Sequence, residues 1–542
     1  MMLSSWHSEA QVIDSLPFSS IKEQVSILTD RDIYFVNEDI LFAAQIFTNL
    51  VDEQAFSQVV YVELIDYLGH SYNRGKYLLN QGFCNGKIQV PQSLVTGTYY
   101  VKAYTKWMRN FPNQEYFYYP VTIINPQSNE VLNKVANYQP DFTLDTVFYP
   151  NLNVNIKSQK STKGQSFLLQ AVNEKKGNFV LSASKAIATT ESYLKIRPLK
   201  NAQVPQNFNY LPETRGMSLS GQVALTENSE PAKFVTVYLT LLHENNTILN
   251  AISDEKGRFQ FVLPTVYGNK EILLSAKNQD NKKVQINVDN DYCERPVKLP
   301  FISNSFINDI KEQLNPLSLV SQINDYFDSD NRKETPQEIS HYSDLADVSK
   351  VVYIADYILL PRLRDYFNEL YPQVHIYKAD PNQKIMLDNA AVYSEMYIYP
   401  PLIKIDNVVV TDNSKFLNVN PDALDRIEVF HKPYVIGKEI YGGMINVYSK
   451  NGNWADIKLP EEAVIFDFEM LSPGADEKQG VKGSSGLANT IYWNARSVSS
   501  TDSWQINIDA ENNFGEYKLK VRFINSKGEI AQKDLSLKID VE

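Results

Sequence analysis

The residues in this chain that could do chemistry are six histidines, two cysteines and many carboxylates. Metal-assisted hydrolysis needs ligands at short spacing, such as two histidines flanking a Glu on one helix face. His7, His70, His243, His341, His375 and His431 include no such pair, and His243-Glu244 is a lone dipeptide. The cysteines stand in Phe83-Cys84-Asn85-Gly86 and Tyr292-Cys293-Glu294-Arg295. They are too few and too far apart for a disulfide framework or a cysteine-based zinc site, so both are expected as small buried apolar groups. A Gly-x-Ser-x-Gly elbow and a phosphate-cradling loop are both missing. Asp328-Ser329-Asp330-Asn331 lacks the Gly and the distal Glu of a calcium loop. The expectation is therefore a protein that is not an enzyme, with no metal and no cofactor.

Charge and composition narrow the class further. The formal net charge is −12, from 52 basic and 64 acidic residues, and no Lys/Arg run exceeds two. Nucleic acid calls for a basic face, so it is not an expected partner. No apolar run approaches the ~18 residues of a membrane-spanning helix. Residues 1–20 read as a leader remnant or a flexible N-terminus, with Ser8 and Ala10 suited to a small-x-small cleavage site before Gln11. The 33 tyrosines and 26 phenylalanines favour pleated surfaces. At 542 residues the chain should form several domains.

The elements that must position any site are mostly strands. In 21–126, Thr29-Asp30-Arg31-Asp32-Ile33-Tyr34 opens a series of strands that includes Val59–Asp66 and Gly97–Thr105. The order resembles a macroglobulin-type (MG2-like) β-sandwich, with Asn37 where that family usually has Gly. Residues 127–214 read as a short β-unit and a linker. In 215–292, Leu219-Ser220-Gly221-Gln222-Val223, Val235–Thr240 and Asp254…Gly257-Arg258-Phe259-Gln260-Phe261 resemble the carboxypeptidase regulatory-like domain, a small seven-stranded sandwich.

Residues 293–350 read as an acidic helical connector. In 351–452, Ile403-Lys404-Ile405-Asp406-Asn407-Val408-Val409 forms a strand, a two-residue turn and a second strand. Asn420–Phe430 reads as a capped helix running into a strand, and Tyr441-Gly442-Gly443-Met444-Ile445 as a Gly-opened strand. This order resembles the plug domain of TonB-dependent receptors, an α+β unit. Asn407 replaces the usual turn Gly, and His431-Lys432-Pro433 the usual Lys-Gly-Pro. Residues 453–542, with Thr490-Ile491-Tyr492-Trp493-Asn494, resemble the closing sandwich of macroglobulin-like envelope proteins of Bacteroidota.

The expected fold class is thus mainly β: tandem macroglobulin- or prealbumin-like sandwiches plus one α+β unit. Neither cysteine sits in the Cys-Gly-Glu-Gln thioester of covalent macroglobulin traps. A receptor barrel of about 22 strands would need over ~200 residues beyond the plug-like unit, and fewer than half of those follow. The resemblances imply a binding or scaffold protein of the cell envelope, in the periplasm, outer-membrane associated or at the cell surface. It would serve outer-membrane transport, export or surface-protein assembly, with an envelope or outer-membrane protein as partner. A surface adhesin and a hydrolase of glycans or peptides are the alternatives. Tyr434, Tyr441, Gly442 and Gly443 are the candidate binding residues.

Overall fold

In the computed structural model, all seven residues of strand Val59–Ile65 are buried, as are all eight of Gly97–Tyr104. A strand of a one-sided sheet would alternate between core and solvent. Both faces of these strands are therefore covered, and what covers them defines the architecture. The structure describes residues 21–539 apart from 50–55, 153, 162–163, 172–176, 188–192, 200–207, 243–246, 278–281, 304, 329–349, 379–382, 389–398, 438, 460, 476–486, 499–502, 510–512 and 526. The leader-like residues 1–20 and the acidic stretch 329–349 lie outside the described residues.

The protein is mainly β, with three sandwiches and one α+β unit. The first sandwich falls within 21–126. One sheet orders Glu23–Thr29, Asp39–Thr48 and Phe83–Gln89. The other orders Ile33–Phe35, Phe117–Ile124, Gly97–Tyr104, Val59–Ile65 and Ser71–Leu78. The second face of this larger sheet is capped by chain from elsewhere: Tyr61 donates to Glu213, and Lys102 to the Cys293 carbonyl.

The expected separate units 127–214 and 453–542 are one sandwich in the structure. Gly177–Lys185 is a central strand, flanked by Thr490–Val498 on one edge and Gly515–Asn525 on the other, with Ile530–Ile539 beyond. The facing sheet orders Val154–Ser161, Gly164–Ala171 and Ser503–Asp509. The reason is burial: Asn178–Ser184 are buried throughout, and three local strands alone could not cover such a segment.

The third sandwich is likewise completed from far along the chain. One sheet orders Arg258–Val262, Ser218–Leu225 and Val284–Val288. The other orders Ile248–Ile252, Thr236–Leu241, Asn269–Lys277 and Val464–Glu469. The last strand lies in the stretch expected to belong to the C-terminal sandwich, and it supplies the seventh strand here.

Between its sixth and seventh strands sits the α+β unit. Its five-stranded sheet orders Lys350–Tyr353, Leu424–Phe430, Met444–Ser449, Leu402–Ile405 and Val408–Val409. Helix Leu363–Leu370 packs on it through Leu363, Tyr366 and Phe367. The Asp406-Asn407 turn has positive φ at both residues, the geometry of a two-residue hairpin turn. Asn420 does cap, accepting from Asp422 N, but the expected helix is a single 3-10 turn at Pro421–Ala423. The described part of the connector docks by one face on the first sandwich. Helix Lys311–Asp328 follows Ile310, which with Leu314 packs against Ile33 of the first sandwich.

Candidate binding groove

The four candidate binding residues sit at a junction inside the molecule. Tyr434 and Tyr441 face each other across the hairpin Tyr434–Ile436/Glu439–Tyr441. The hairpin lies on the third sandwich, where Tyr441 is buried and its hydroxyl donates to Glu439 Oε2 at 2.7 Å. That hydroxyl is 3.2 Å from the Tyr238 hydroxyl, and Thr236 Oγ1 donates to Glu439 Oε1 at 2.7 Å. Burial, then the neighbouring Tyr238, holds the Tyr441 phenol well above its ordinary range, so it stays a neutral donor. Gly442 N donates to Pro400 O, and a Cβ on Gly443 would lie 2.4 Å from the Phe430 carbonyl oxygen. Of the four, Tyr434 is the exposed one among the two tyrosines, and Gly442-Gly443 build the turn that lets Met444–Ser449 enter the sheet.

Two polar networks join the sandwiches, and sequence reasoning did not foresee them. In the first, Asp30 accepts from Thr490 Oγ1, from the Tyr34 hydroxyl at 2.7 Å and from Leu41 N at 3.2 Å. Arg31 pairs with Asp30 and Glu38, and Glu38 accepts from Asn489 Nδ2 at 2.7 Å. The two sequence motifs at 29–34 and 489–494 therefore recognise each other. In the second, Lys76 Nζ meets Asp291 at 2.5 Å and the Glu469 carbonyl at 2.6 Å, and Lys106 Nζ lies 3.5 Å from Asp291. Lys102 pairs with Glu63 at 2.8 Å, and Arg109 donates to the Asn290 and Asp291 carbonyls. These buried cations clamp the first sandwich to the chain that enters and leaves the third.

Both cysteines are buried and free. Burial pushes the Cys84 thiol up to about 12, which removes thiolate chemistry at neutral pH. The Tyr116 hydroxyl lies 3.4 Å from Cys293 Sγ. Among the described residues no three His, Cys, Asp or Glu side chains cluster as a metal site. No described helix is long and apolar enough to cross a membrane.

A surface able to receive a partner lies between the third sandwich and the α+β unit. It is a groove of about 620 Å³. One wall is residues 284–286 of the edge strand Val284–Val288, and the other is the edge strand Val408–Val409 with Val410–Asp412. Residues 454, 457–459 and 461–464 of the returning chain form the floor, with Trp454, Ile457 and Leu459 as its apolar contacts. At the rim Lys283 pairs with Glu461 at 2.6 Å, and Lys415 with Asp412 at 3.8 Å. Burial, then the nearby Glu461 charge, raises the Glu462 carboxyl, while Lys283 lowers the exposed Glu461. The arrangement offers apolar contact and free backbone at an edge. The sequence signal for it was weak, because its walls come from segments more than a hundred residues apart.

No protein family and no curated protein matches the chain. Among solved structures it is similar to Escherichia coli alpha-2-macroglobulin activated by porcine elastase. That likeness has 8% identity and a TM-score of 0.24, and it covers 96% of this chain and 44% of that one. Salmonella alpha-2-macroglobulin reacted with methylamine matches at 8% identity, TM-score 0.23, with 96% and 39% covered. Dimeric latent PorU from Porphyromonas gingivalis matches at 10% identity, TM-score 0.17, with 52% and 34% covered. The chain spans less than half the length of the alpha-2-macroglobulin chains it matches. At these scores the likeness carries no argument about what the chain does.

Proposed function

We propose that the protein is a non-enzymatic binding and scaffold protein of the bacterial cell envelope, an accessory of outer-membrane transport, export or surface-protein assembly. The envelope placement follows the MG2-like and plug-like sequence resemblances, at the periplasmic or outer surface. The observation that carries the binding role is the groove between Val284–Val288 and Val408–Val409, apolar within and open at its edges. The buried ion pairs hold the sandwiches together, and no group of three His, Cys, Asp or Glu placed to hold a metal occurs among the described residues.

The test is chemical cross-linking in intact cells, followed by capture from solubilised envelope. A defined outer-membrane partner, recovered in a reproducible ratio, is the expected result. Recovery of none overturns the reading. So does turnover of a glycan or peptide substrate that a single carboxylate substitution abolishes.

A further inference from the structure

We infer that the groove takes an extended, net-neutral peptide segment of a partner protein, added as a strand to the free edge of Val284–Val288. This deepens the binding role proposed above and rests on it.

The backbone carries the inference. Thr226 N donates to Lys283 O at 3.1 Å, and Asp289 N to Ser220 O at 2.9 Å. Positions 283, 285, 287 and 289 therefore face the neighbouring strand Ser218–Leu225. By antiparallel alternation the N–H and C=O groups of Val284, Ile286 and Val288 point away from it. On the opposite wall Val410 N donates to Ile403 O at 2.9 Å, so the groups of Val409 point away from Leu402–Ile405. Among the described residues, no hydrogen bond engages these outward groups of Val284, Ile286, Val288 and Val409. Such an edge is a template for another chain, and only an extended backbone matches its repeat of ~3.3 Å per residue.

The groove's interior and rim state what that chain must carry. Trp454, Ile457 and Leu459 offer apolar contact to side chains on one face of the added strand, which means alternate positions. The lining holds Lys283, Lys415 and Lys458 against Asp412, Glu461 and Glu462, three charges of each sign. Two of the pairs are already closed. A segment bringing net charge would find no unmatched field there, whereas a neutral one costs the rim nothing.

The probe is a capped octapeptide of alternating valine and threonine, titrated against the whole protein and followed by amide hydrogen exchange. Saturable binding with slowed exchange at 284–288 and 408–410 is expected. The same peptide N-methylated at alternate amides keeps its side chains but loses its donors, and should bind at least tenfold more weakly. Ala463→Trp, which fills the groove from the returning chain at its floor, should abolish binding while exchange at Val59–Ile65 stays unchanged. No binding, equal binding by the N-methylated peptide, or protection elsewhere overturns strand addition. Envelope capture that survives Ala463→Trp also overturns it while leaving the scaffold role standing. Failure of the unmodified protein to capture any partner strikes the scaffold role instead.

Discussion

Asp30 and Thr490, 460 residues apart, meet in a hydrogen bond of 2.5 Å between the Thr490 hydroxyl and Asp30 Oδ2. Both are buried. The contact joins the residue just after the first strand of the first sandwich to Thr490–Val498, a strand beside Gly177–Lys185 in the second.

Removing it should be felt by the whole molecule. Thr490→Val keeps the shape and deletes the donor to a buried carboxylate. A loss of about 1–3 kcal/mol is expected. Thermal denaturation checks it, and an unchanged midpoint would show that the junction contributes nothing to stability.

Asp291 holds two buried lysines, Lys76 and Lys106. Asp291→Asn leaves both ammonium groups short of a countercharge in a site that excludes water. Breaking a buried pair from one side costs about 3–5 kcal/mol. The variant should expose the first-to-third sandwich junction to limited proteolysis before the α+β unit is cut. Wild-type resistance in the variant contradicts the clamp.

Glu23 gives the pH test. It accepts from Ser57 N at 2.7 Å and from Ser57 Oγ at 2.9 Å, and burial raises its carboxyl above the ordinary 4.5. The folded state therefore holds the proton more tightly than the unfolded state. Its stabilising contribution is fully present below about 4.5 and is lost as pH rises through the folded value. Glu23→Gln should be close to wild type at pH 4 and more stable than wild type at pH 8, read from urea midpoints. A constant difference across that range would refute the shift.

Gly443 cannot carry a side chain. Its φ is +150°, and a Cβ there would meet the Phe430 carbonyl oxygen at 2.4 Å. Gly443→Ala should cost more than about 1 kcal/mol, with lost soluble yield as the first sign. Gly452→Ala shares the positive φ but not the clash, since its Cβ would meet nothing within 4 Å, so it should cost less than Gly443→Ala.

Local features were legible from residues and their order. Val59–Asp66 and Val235–Thr240 read as strands from their β-branched and aromatic content, within a residue of the observed Val59–Ile65 and Thr236–Leu241, and Asp406-Asn407 reads as a hairpin turn. Pairing was not legible. Gly177–Lys185 announces that it is buried, but nothing in its alternation says that its neighbours start at Thr490 and Gly515. Val464–Glu469 is short and carries Asp467 and Glu469 among aromatics, so it reads equally as an edge strand of any nearby sheet. Tyr441 stands out in the sequence beside Gly442-Gly443, but its partners Tyr238 and Glu439 are set by the fold and are not legible there. Side-chain periodicity reports how a segment faces, and a junction depends on what it faces.

The strand order has a consequence for how the chain can be made. The α+β unit lies inside the third sandwich, and the third sandwich lies inside the second, like brackets within brackets. During synthesis the α+β unit has its last strand at Ser449, the third sandwich at Glu469 and the second at Ile539. Domains tend to fold as units in order of emergence. Here the inner units must close first, and Gly177–Lys185 waits for more than three hundred residues before either of its neighbours exists. A ribosome or an export channel that releases this chain from its first end therefore holds an apolar strand open through most of the process.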